Sequence, residues 1–459
     1  MENQSIKVTV YIPSHNYGKY LGNAIESVLR QTITDWELII IDDNSSDNTQ
    51  EVMRLYEGHP SISIHRTDGI GLPAVCNFAI VKAKGEYVIR LDGDDVFDEN
   101  ILLVLSHYLD SHPEAALVFP DYYLMDEYGQ IYAQERRERV YSENHMLDMP
   151  PNGACTLIRK SVMTEVNGYR EDLGSQDGLD LWTKLIKNKK CFNVNLPLFY
   201  YRRHGENLTK DVQRILAARR QIKRDVIDQT LLSHRPIIGV IPIRKNYDFV
   251  PNLWSQKLNG RSLLSRDIEV CLSSTLLDYV VVACDDPEVE HIIAEYQEPR
   301  LKFFLREPQS TTRTASVAKT LEKIAEVYDP ESRGITVLRY IQTPFVSKDT
   351  LEEAITTLAL NEADSSSGVE AINAQVFRRG KFGLEPINRF GGFYSDFDIV
   401  YKDAMVCLAT KNANLKRGSL TGSSIVSFEI SAAESFFMIS SKDLKIAQLI
   451  ASKKILQTA

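Results

Sequence analysis

The sequence lacks several features that mark large classes of proteins. Its six cysteines are scattered and form no Cys-x-x-Cys pair, so we expect reduced thiols rather than a disulfide framework or a zinc site. No apolar run approaches the roughly 18 residues that a membrane span needs. Basic residues are not in excess, and the net charge of −9 argues against a nucleic-acid partner.

The first residues also lack a charged leader followed by a long apolar stretch, which predicts that there is no signal peptide. Together with the reduced thiols, this favours a cytoplasmic protein. The composition, with 43% hydrophobic and 25% charged residues, is that of a globular protein. A chain of 459 residues is too long for one ordinary core, so we expect two domains.

Short apolar runs alternate with amphipathic stretches over the first part of the chain. Residues 8–12, 37–41, 62–65 and 87–91 are predicted strands, and 20–30 is a predicted helix. Strands separated by helices indicate a largely parallel sheet that is covered on both faces. Ligands bind beyond the carboxyl ends of such strands. The candidate site residues therefore lie in the turns Pro13-Ser14-His15-Asn16, Asp42-Asp43-Asn44 and Asp92-Gly93-Asp94-Asp95.

The same architecture begins again in the second half of the chain. Residues 236–242 and 279–284 are predicted strands with a helix between them, and the second strand ends on an acidic pair. We therefore expect two Rossmann-like α/β/α domains with mainly parallel sheets, at 1–228 and 236–459.

Residues 211–228 predict an amphipathic helix in which five Arg and Lys residues alternate with apolar ones. The simpler interpretation is a helix that packs on its own domain and exposes a solvated basic face. The alternative is peripheral contact with an anionic membrane, which would place the protein at the inner face of that membrane.

Two carboxylates one residue apart, at the open end of a strand, can hold a divalent cation against a diphosphate. Asp92 and Asp94 have this spacing, and Gly93 between them allows close backbone approach. Mg²⁺ and Mn²⁺ prefer carboxylate oxygens, and either ion neutralises a leaving diphosphate. Taken alone, such a triplet is more often an ordinary acidic turn. Asp95 is a candidate cap for the following helix.

The order and separation of these motifs resemble those of the family 2 inverting glycosyltransferases, which have the GT-A fold. The resemblance is carried by VTVYIPSHNYGKYLGNAIESVLRQTITDWELIIIDDNSSDNT and AKGEYVIRLDGDD, and it covers about the first 210 residues. It implies a nucleotide-sugar donor, Mn²⁺ or Mg²⁺ as cofactor, and a glycan or glycolipid acceptor such as a growing surface polysaccharide.

The resemblance also implies roles for individual residues. Asp94 would be the main metal ligand, and Asp92 would contact the ribose or the metal. Asp43 would contact the donor base, with Asp42 beside it. The rest of the donor pocket would be formed by Pro13, Ser14, His15 and Gly93.

Inversion requires a base that deprotonates the acceptor hydroxyl for in-line attack. The family usually supplies it from an acidic pair ahead of a Trp-bearing helix, and the corresponding stretch here is SQDGLDLW. Asp177 is the predicted base. Asp180 is the alternative, because the spacing to Trp182 is one residue longer than in the commonest form of the motif. The other interpretation of Asp180 is stabilisation of the helix N-terminus.

The stretch YYRRH resembles the closing-loop motif of the family. This resemblance implies that His204 lies near the metal and the diphosphate, and it makes Arg203 a candidate diphosphate contact. One position departs from the family pattern: Cys76 precedes Asn77 where an Arg that helps bind the nucleotide is frequent. Because of this departure, the sequence does not determine which base and which sugar the donor carries.

Residues 236–452 resemble the sugar-acid and isoprenoid cytidylyltransferases, chiefly through VIPIRKNYDFVPNLWSQKLNG, LRYIQTPFVSKDTLEEAI and SSKDLKIAQLIAS. Those enzymes wrap a CTP triphosphate in a Gly-rich loop that bears lysines. Here the glycines are missing, and Asp248 and Leu253 stand where lysines are expected. The surviving candidates for nucleotide contact are Arg244, Lys245 and Asp285.

A carboxylate in a triphosphate cradle without a metal is electrostatically unfavourable. We therefore expect a second domain with altered or lost transferase activity that serves binding or assembly. Cytidylyltransferases of this type often pair, which implies a homo-oligomer held by this domain. One alternative is a bifunctional enzyme whose second half makes a CMP- or CDP-activated sugar or polyol. The other is a non-catalytic scaffold, against which the intact carboxylates of the first half argue.

Overall fold

The structure is a computed structural model, and it describes residues 5–136, 153–173, 175–185, 189–205, 212–312, 315–381, 383–388 and 399–452. The chain forms two compact units, Met1–Ile222 and Lys223–Ala459. The division falls inside one continuous helix, a few residues before the domain boundary predicted between residues 228 and 236.

In its described residues, the first unit contains nine strands and the helices that cover them. The strands are β1 (Val8–Ser14), β2 (Trp36–Asp43), β3 (Ile62–Thr67), β4 (Tyr87–Arg90), β5 (Val96–Phe97), β6 (Ala115–Met125), β7 (Ile131–Glu135), β8 (Leu157–Arg159) and β9 (Lys190–Arg202). The helices are α1 (Gly18–Leu29), α2 (Thr49–Arg54), α3 (Leu72–Lys82), α4 (Ile101–Ser111), α5 (Lys160–Glu165), α6 (Asp177–Leu185) and α7 (Val212–Leu232), which continues into the second unit.

The strands of this unit form one sheet in the order β3-β2-β1-β4-β8-β6-β9-β5, with β7 paired to β6. Strands β3, β2, β1 and β4 are parallel, whereas β5, β7 and β8 pair antiparallel with their neighbours. Ser14 pairs with Asp42 across β1 and β2, and Tyr11 pairs with Arg90 across β1 and β4. The turns that follow these three strands therefore meet at one edge of the sheet.

Strand β1 is buried along its whole length because helices cover both faces of the sheet. Its alternate residues Val10 and Ile12 pack with Leu21 of α1 in one core cluster. Tyr11 faces the other way and packs with Val75 of α3. The two core layers hold β1 rigidly, so the turn after it has a fixed position.

The second unit repeats this plan. Its strands are β10 (Ile237–Pro242), β11 (Lys257–Leu258), β12 (Arg261–Ser262), β13 (Tyr279–Cys284), β14 (Leu301–Leu305), β15 (Ile335–Leu338), β16 (Ser365–Ile372), β17 (Phe377–Gly380), β18 (Gly383–Pro386), β19 (Val400–Lys411) and β20 (Ile425–Glu429). Its helices are α8 (Leu263–Ser273), α9 (Glu288–Ala294), α10 (Ala318–Tyr328), α11 (Lys348–Leu360), α12 (Asn412–Lys416) and α13 (Ser441–Ser452).

The main sheet of the second unit has the order β14-β13-β10-β15-β19-β16-β20, and its first four strands are parallel. Core clusters lie on both of its faces. The predicted fold class, two α/β/α units with mainly parallel sheets, is confirmed.

Helix α7 carries the basic residues predicted to form a solvated face. Lys223 is buried instead, and its Nζ lies 3.4 Å from Glu353 Oε1 and 2.9 Å from Thr357 Oγ1. Arg224 pairs with Asp349 at 2.9 Å. The predicted solvated face is therefore wrong for Lys223, whereas Arg224 stays partly exposed; both cations pair with carboxylates of α11. No helix in the described part of the chain is both long and apolar enough to cross a membrane.

Candidate active site

A cavity of about 380 Å³ lies in the first unit, at the carboxyl ends of the parallel strands. This is the place where open parallel sheets bind ligands. Helices α3, α6 and α7 contribute to its walls. It brings together seven of the residues predicted from the sequence: Pro13, Ser14, His15, Asp43, Asp92, Asp94 and Asp177.

On one side of the cavity, the carboxylate of Asp43 organises the loop that follows β3. Its Oδ1 accepts hydrogen bonds from Thr67 Oγ1 at 2.6 Å and from Ile70 N at 2.8 Å, and its Oδ2 accepts one from Gly71 N at 2.8 Å. Burial acts to raise the pKa of Asp43, but these hydrogen bonds outweigh it and hold the pKa below its usual value. The wall therefore contains an ionised carboxylate in a fixed orientation.

His15 extends the same wall. Its Nδ1 lies 2.6 Å from the backbone oxygen of Asp43, and its Nε2 lies 3.1 Å from the side-chain amide nitrogen of Asn16. Because that amide nitrogen can only donate, Nδ1 is the ring atom that carries the proton and donates to Asp43 O. The exposed imidazole is thus tied to the turns after both β1 and β2.

The acidic turn after β4 concentrates negative charge. Burial raises the pKa of Asp92 to about 6; Arg90 opposes this rise, and the charges of Asp94 and Asp177 add to it. Burial and the charges of Asp94 and Asp92 also raise the pKa of Asp95 well above its usual value. The part of both shifts that comes from neighbouring carboxylates shows that negative charges crowd this turn, and a cation would relieve their repulsion.

Asp95 does not cap a helix, so that prediction is wrong. The residues after it form β5, and α4 begins only at Ile101. The carboxylate of Asp95 instead accepts a hydrogen bond from Arg202 N at 2.8 Å. It joins the acidic turn to the end of β9.

His204 comes from the segment after β9 and reaches the same turn. Its Nε2 lies 2.9 Å from Asp94 Oδ2, and its side chain is only 4% exposed. In the described residues, no group of three or more His, Cys, Asp and Glu side chains is arranged to hold a metal ion. A carboxylate oxygen and an imidazole nitrogen at this separation have the chemistry of two metal ligands, and a hard cation there would need further oxygen ligands such as those of a phosphate.

Asp177 is the first residue of α6 and faces the cavity. The preceding Gln176 has a left-handed backbone (φ 63°), and its side-chain oxygen accepts a hydrogen bond from Arg219 Nε at 3.0 Å. A non-glycine residue in this conformation costs about 1–3 kcal/mol, and it persists only where its surroundings fix it. The carboxylate of Asp177 accepts a hydrogen bond from Arg90 Nη1. The candidate base is therefore held from both sides.

Asp42 and Asp180 lie outside the cavity walls. Asp42 is 1% exposed, and its Oδ1 accepts a hydrogen bond from Ser45 N at 2.8 Å, which closes the turn after β2. Asp180 lies in the first turn of α6, is 3% exposed, and pairs with Lys184 at 2.7 Å. Both side chains have local structural partners.

Gly93 and Arg203 also lie outside the cavity lining. Gly93 packs against the turn after β1, where a Cβ would lie 3.4 Å from both Ser14 Oγ and Tyr17 Cβ. Arg203 is exposed.

The sequence interpretation missed two buried arginines. Arg202, at the end of β9, donates from Nε to Asp94 O at 2.8 Å and lies over the ring of Tyr20. The alternation of side chains along a strand could have identified Arg202. Successive residues of a strand face opposite sides, and the next residue, Arg203, is exposed. Arg90 interrupts the apolar run of β4, and an Arg in such a run is itself a signal.

In the second unit, the candidate nucleotide contacts are paired with carboxylates. Lys245 Nζ lies 3.0 Å from Asp286 Oδ2, and its backbone nitrogen donates to Asp285 Oδ1 at 2.7 Å. Arg244 lies 3.8 Å from Asp248. These carboxylates thus already neutralise the positive charge that would be needed to bind a triphosphate.

Two family models match the chain: Glycosyl transferase family 2 over residues 9–164 and Cytidylyltransferase over residues 238–380. Glycosyltransferase GlyG of Streptococcus pneumoniae is 33% identical over 224 residues, which cover 44% of this chain and 73% of that protein. Chondroitin synthase of Escherichia coli is 26% identical over 208 residues, which cover 44% of this chain but only 29% of the synthase.

Among solved structures, residues 1–349 of S. aureus TarS in complex with UDP-GlcNAc match with a TM-score of 0.42 and 19% identity. That match covers 48% of this chain and 67% of the other.

Proposed function

The chain belongs to glycosyl transferase family 2, and from this premise we propose that its first unit transfers a sugar from a nucleotide-diphosphate donor to a glycan or glycolipid acceptor, with inversion. The proposal is carried by one observation: Asp43, Asp94 and Asp177 come from three separate elements and line the same cavity. A scaffold protein has no physical need for three carboxylates around one space.

The donor would lie along the ends of β1 and β2. Pro13, Ser14 and His15 form a wall for the nucleoside, and the ionised carboxylate of Asp43 is an acceptor for a base N–H group. Asp42 would affect donor binding only by closing the turn after β2. Cys76 is buried and supplies no cation to the nucleotide, so the identity of the base depends on the rest of this wall.

Asp94 and His204 would hold Mn²⁺ or Mg²⁺, with Asp92 as a further contact to the metal or the ribose. When bound, the ion supplies charge neutralisation for the departing diphosphate. Arg203 is exposed next to His204 and is proposed to contact the same phosphates.

Asp177 would accept the proton of the acceptor hydroxyl during its attack on the anomeric carbon. The bond between that carbon and the diphosphate oxygen breaks as the new glycosidic bond forms, and the electron pair leaves with the diphosphate. Leu173 and Ile215 line the cavity with Asp177 and offer apolar contact for an acceptor sugar.

A donor screen tests the transferase proposal. The full-length protein is incubated with UDP-, GDP- and CDP-sugars and MnCl₂, with water as the acceptor of the sugar, and the released nucleoside diphosphate is measured. We expect turnover of at least one donor, and we expect a chelator to abolish it because the diphosphate then leaves without charge neutralisation. Each donor with MnCl₂ but without protein serves as the blank. Turnover of no donor, or turnover that survives chelation unchanged, contradicts the proposal as stated.

For the second unit we propose a binding or assembly role with altered or lost nucleotidyl transfer. Arg244 and Lys245 face carboxylates, so a triphosphate would have to displace ion pairs without the lysines and glycines of the related enzymes. The domain ranges 1–228 and 236–459, pairing of the chain through this unit, and a cytoplasmic or membrane-associated location stay predictions.

A pyrophosphate assay discriminates the bifunctional alternative. The full-length protein is incubated with CTP, Mg²⁺ and a set of sugar acids or polyol phosphates. We expect no release of pyrophosphate from CTP, because binding of the triphosphate in the phosphate loop is electrostatically unfavourable. Donor turnover by the same preparation shows that the protein is folded. Pyrophosphate release above the level of a protein-free control would establish a working second half.

A further inference from the structure

One buried arginine joins two of the carboxylates that line the cavity. Arg90 ends β4 and is 5% exposed. Its Nε lies 2.9 Å from Asp92 Oδ1, and its Nη1 donates a hydrogen bond to Asp177 Oδ2. Asp92 belongs to the turn after β4, whereas Asp177 begins α6, 87 residues further along the chain than Arg90. The guanidinium therefore links the acidic turn to the helix that carries the candidate base.

The other neighbours of this guanidinium are neutral. Cys76 Sγ lies 4.0 Å from Arg90 Nη1, and burial raises the pKa of the Cys76 thiol to about 12. Burial also raises the pKa of the Tyr169 hydroxyl. The charge of Arg90 is thus directed at Asp92 and Asp177. Burial acts to lower the pKa of Arg90, but these two carboxylates outweigh it and hold the pKa well above its usual value.

Gly153 makes room for this ion pair. A Cβ at position 153 would lie 2.9 Å from Arg90 Nη2 and 3.0 Å from Asp177 Oδ2, both closer than side chains normally pack. The missing side chain thus allows the guanidinium and the carboxylate to meet. This packing shows that the geometry around the base is closely fitted.

We propose that Arg90 is a positioning residue, which holds the carboxylate of Asp177 at a fixed distance from the acidic turn at Asp92 and Asp94. The role rests on the proposed transfer by the first unit. In-line displacement needs the base and the leaving group on opposite sides of the anomeric carbon. A planar fork that bonds two carboxylates sets their separation, which the single ammonium of lysine does less well.

A double-mutant cycle in the full-length protein tests the role. It compares the wild type with the variants Arg90→Met, Arg90→Lys, Asp177→Asn and Arg90→Met/Asp177→Asn. The substrate is the donor that the wild type turns over most rapidly in a panel of UDP-, GDP- and CDP-sugars with MnCl₂. The readouts are kcat and the donor KM from the release of nucleoside diphosphate.

Arg90→Met is expected to lower kcat about 100-fold, because misplacement by about 1 Å has effects of that size. The donor KM should stay within about threefold, and Arg90→Lys should recover part of the loss. In the Asp177→Asn background, Arg90→Met should lower kcat by less than about twofold, because the effect of Arg90 on kcat depends on Asp177.

Arg159→Met is the matched control. Arg159 ends β8, the strand next to β4, and donates to backbone oxygens of Ala115 and Leu109 at 2.8 and 2.7 Å, outside the cavity lining. Loss of the Arg159 side chain affects the packing of the same sheet, but Arg159→Met should leave kcat unchanged.

Gly153→Ala keeps both charges and separates the pair, so it tests the same role if Arg90→Met does not fold. A fall in kcat of about tenfold is expected, intermediate between no effect and full misplacement. Three outcomes contradict the positioning role without contradicting the proposed transfer. They are an unchanged kcat in Gly153→Ala, an equal loss of kcat from Arg90→Met in both backgrounds of the cycle, and an effect of Arg90→Met on the donor KM only. A wild type that turns over no donor contradicts the proposed transfer, and the positioning role with it.

Discussion

Replacement of Asp94 by alanine is expected to lower donor turnover by about a thousandfold, since loss of a metal site removes several kcal/mol and each 1.36 kcal/mol is a factor of ten. Asp94 is the cavity carboxylate that contacts His204. Without it, the imidazole alone would have to hold the cation against the diphosphate. The measurement is the release of nucleoside diphosphate at saturating donor over a range of MnCl₂ concentrations.

The neighbouring Asp95→Asn variant is the matched control for Asp94→Ala. Asp95 is buried, and burial with the charges of Asp94 and Asp92 raises its pKa, which favours its protonated, neutral form. An amide keeps the oxygen that accepts from Arg202 N. We therefore expect Asp95→Asn to retain most of the activity. Donor hydrolysis that persists unchanged in Asp94→Ala with metal present would show that the metal role is wrong.

The fold was accessible from the sequence because it depends on periodicity. The runs at 8–12 and 37–41 are β1 and β2, buried on both faces as their continuous apolar character indicated. Strands that alternate with helices become parallel neighbours, and polar residues after parallel strands meet at one edge. The resemblances to both families are confirmed by the matched segments 9–164 and 238–380.

The partners of the site residues were not accessible in the same way. The approach of Arg90 to Asp177 joins residues 87 positions apart, and no local pattern encodes such a contact. The capping role predicted for Asp95 failed because β5, which is too short to leave a period-two pattern, lies between Asp95 and the following helix α4. The burial of Lys223 depends on α11, which supplies Glu353 from a distant part of the chain.

Asp177→Asn is expected to lower kcat for transfer by about a thousandfold, the middle of the range for loss of a general base. An amide has nearly the same shape as a carboxylate but cannot take the proton of the acceptor hydroxyl. Donor binding should persist, because Asp43 and Asp94 are untouched. The measurement is a pair of assays on one preparation: donor turnover, and calorimetric binding of the donor with MnCl₂.

Asp180→Asn on the same helix discriminates between the two candidate bases. Asp180 is 3% exposed, lies outside the cavity lining and pairs with Lys184 at 2.7 Å, so its replacement removes an ion pair rather than a proton acceptor. We expect a loss of stability with little change in kcat. If Asp180→Asn instead loses the thousandfold and Asp177→Asn keeps its activity, the base has been assigned to the wrong carboxylate. The ion pair between Arg90 and Asp177 would then serve the packing of α6 against β4 rather than proton transfer.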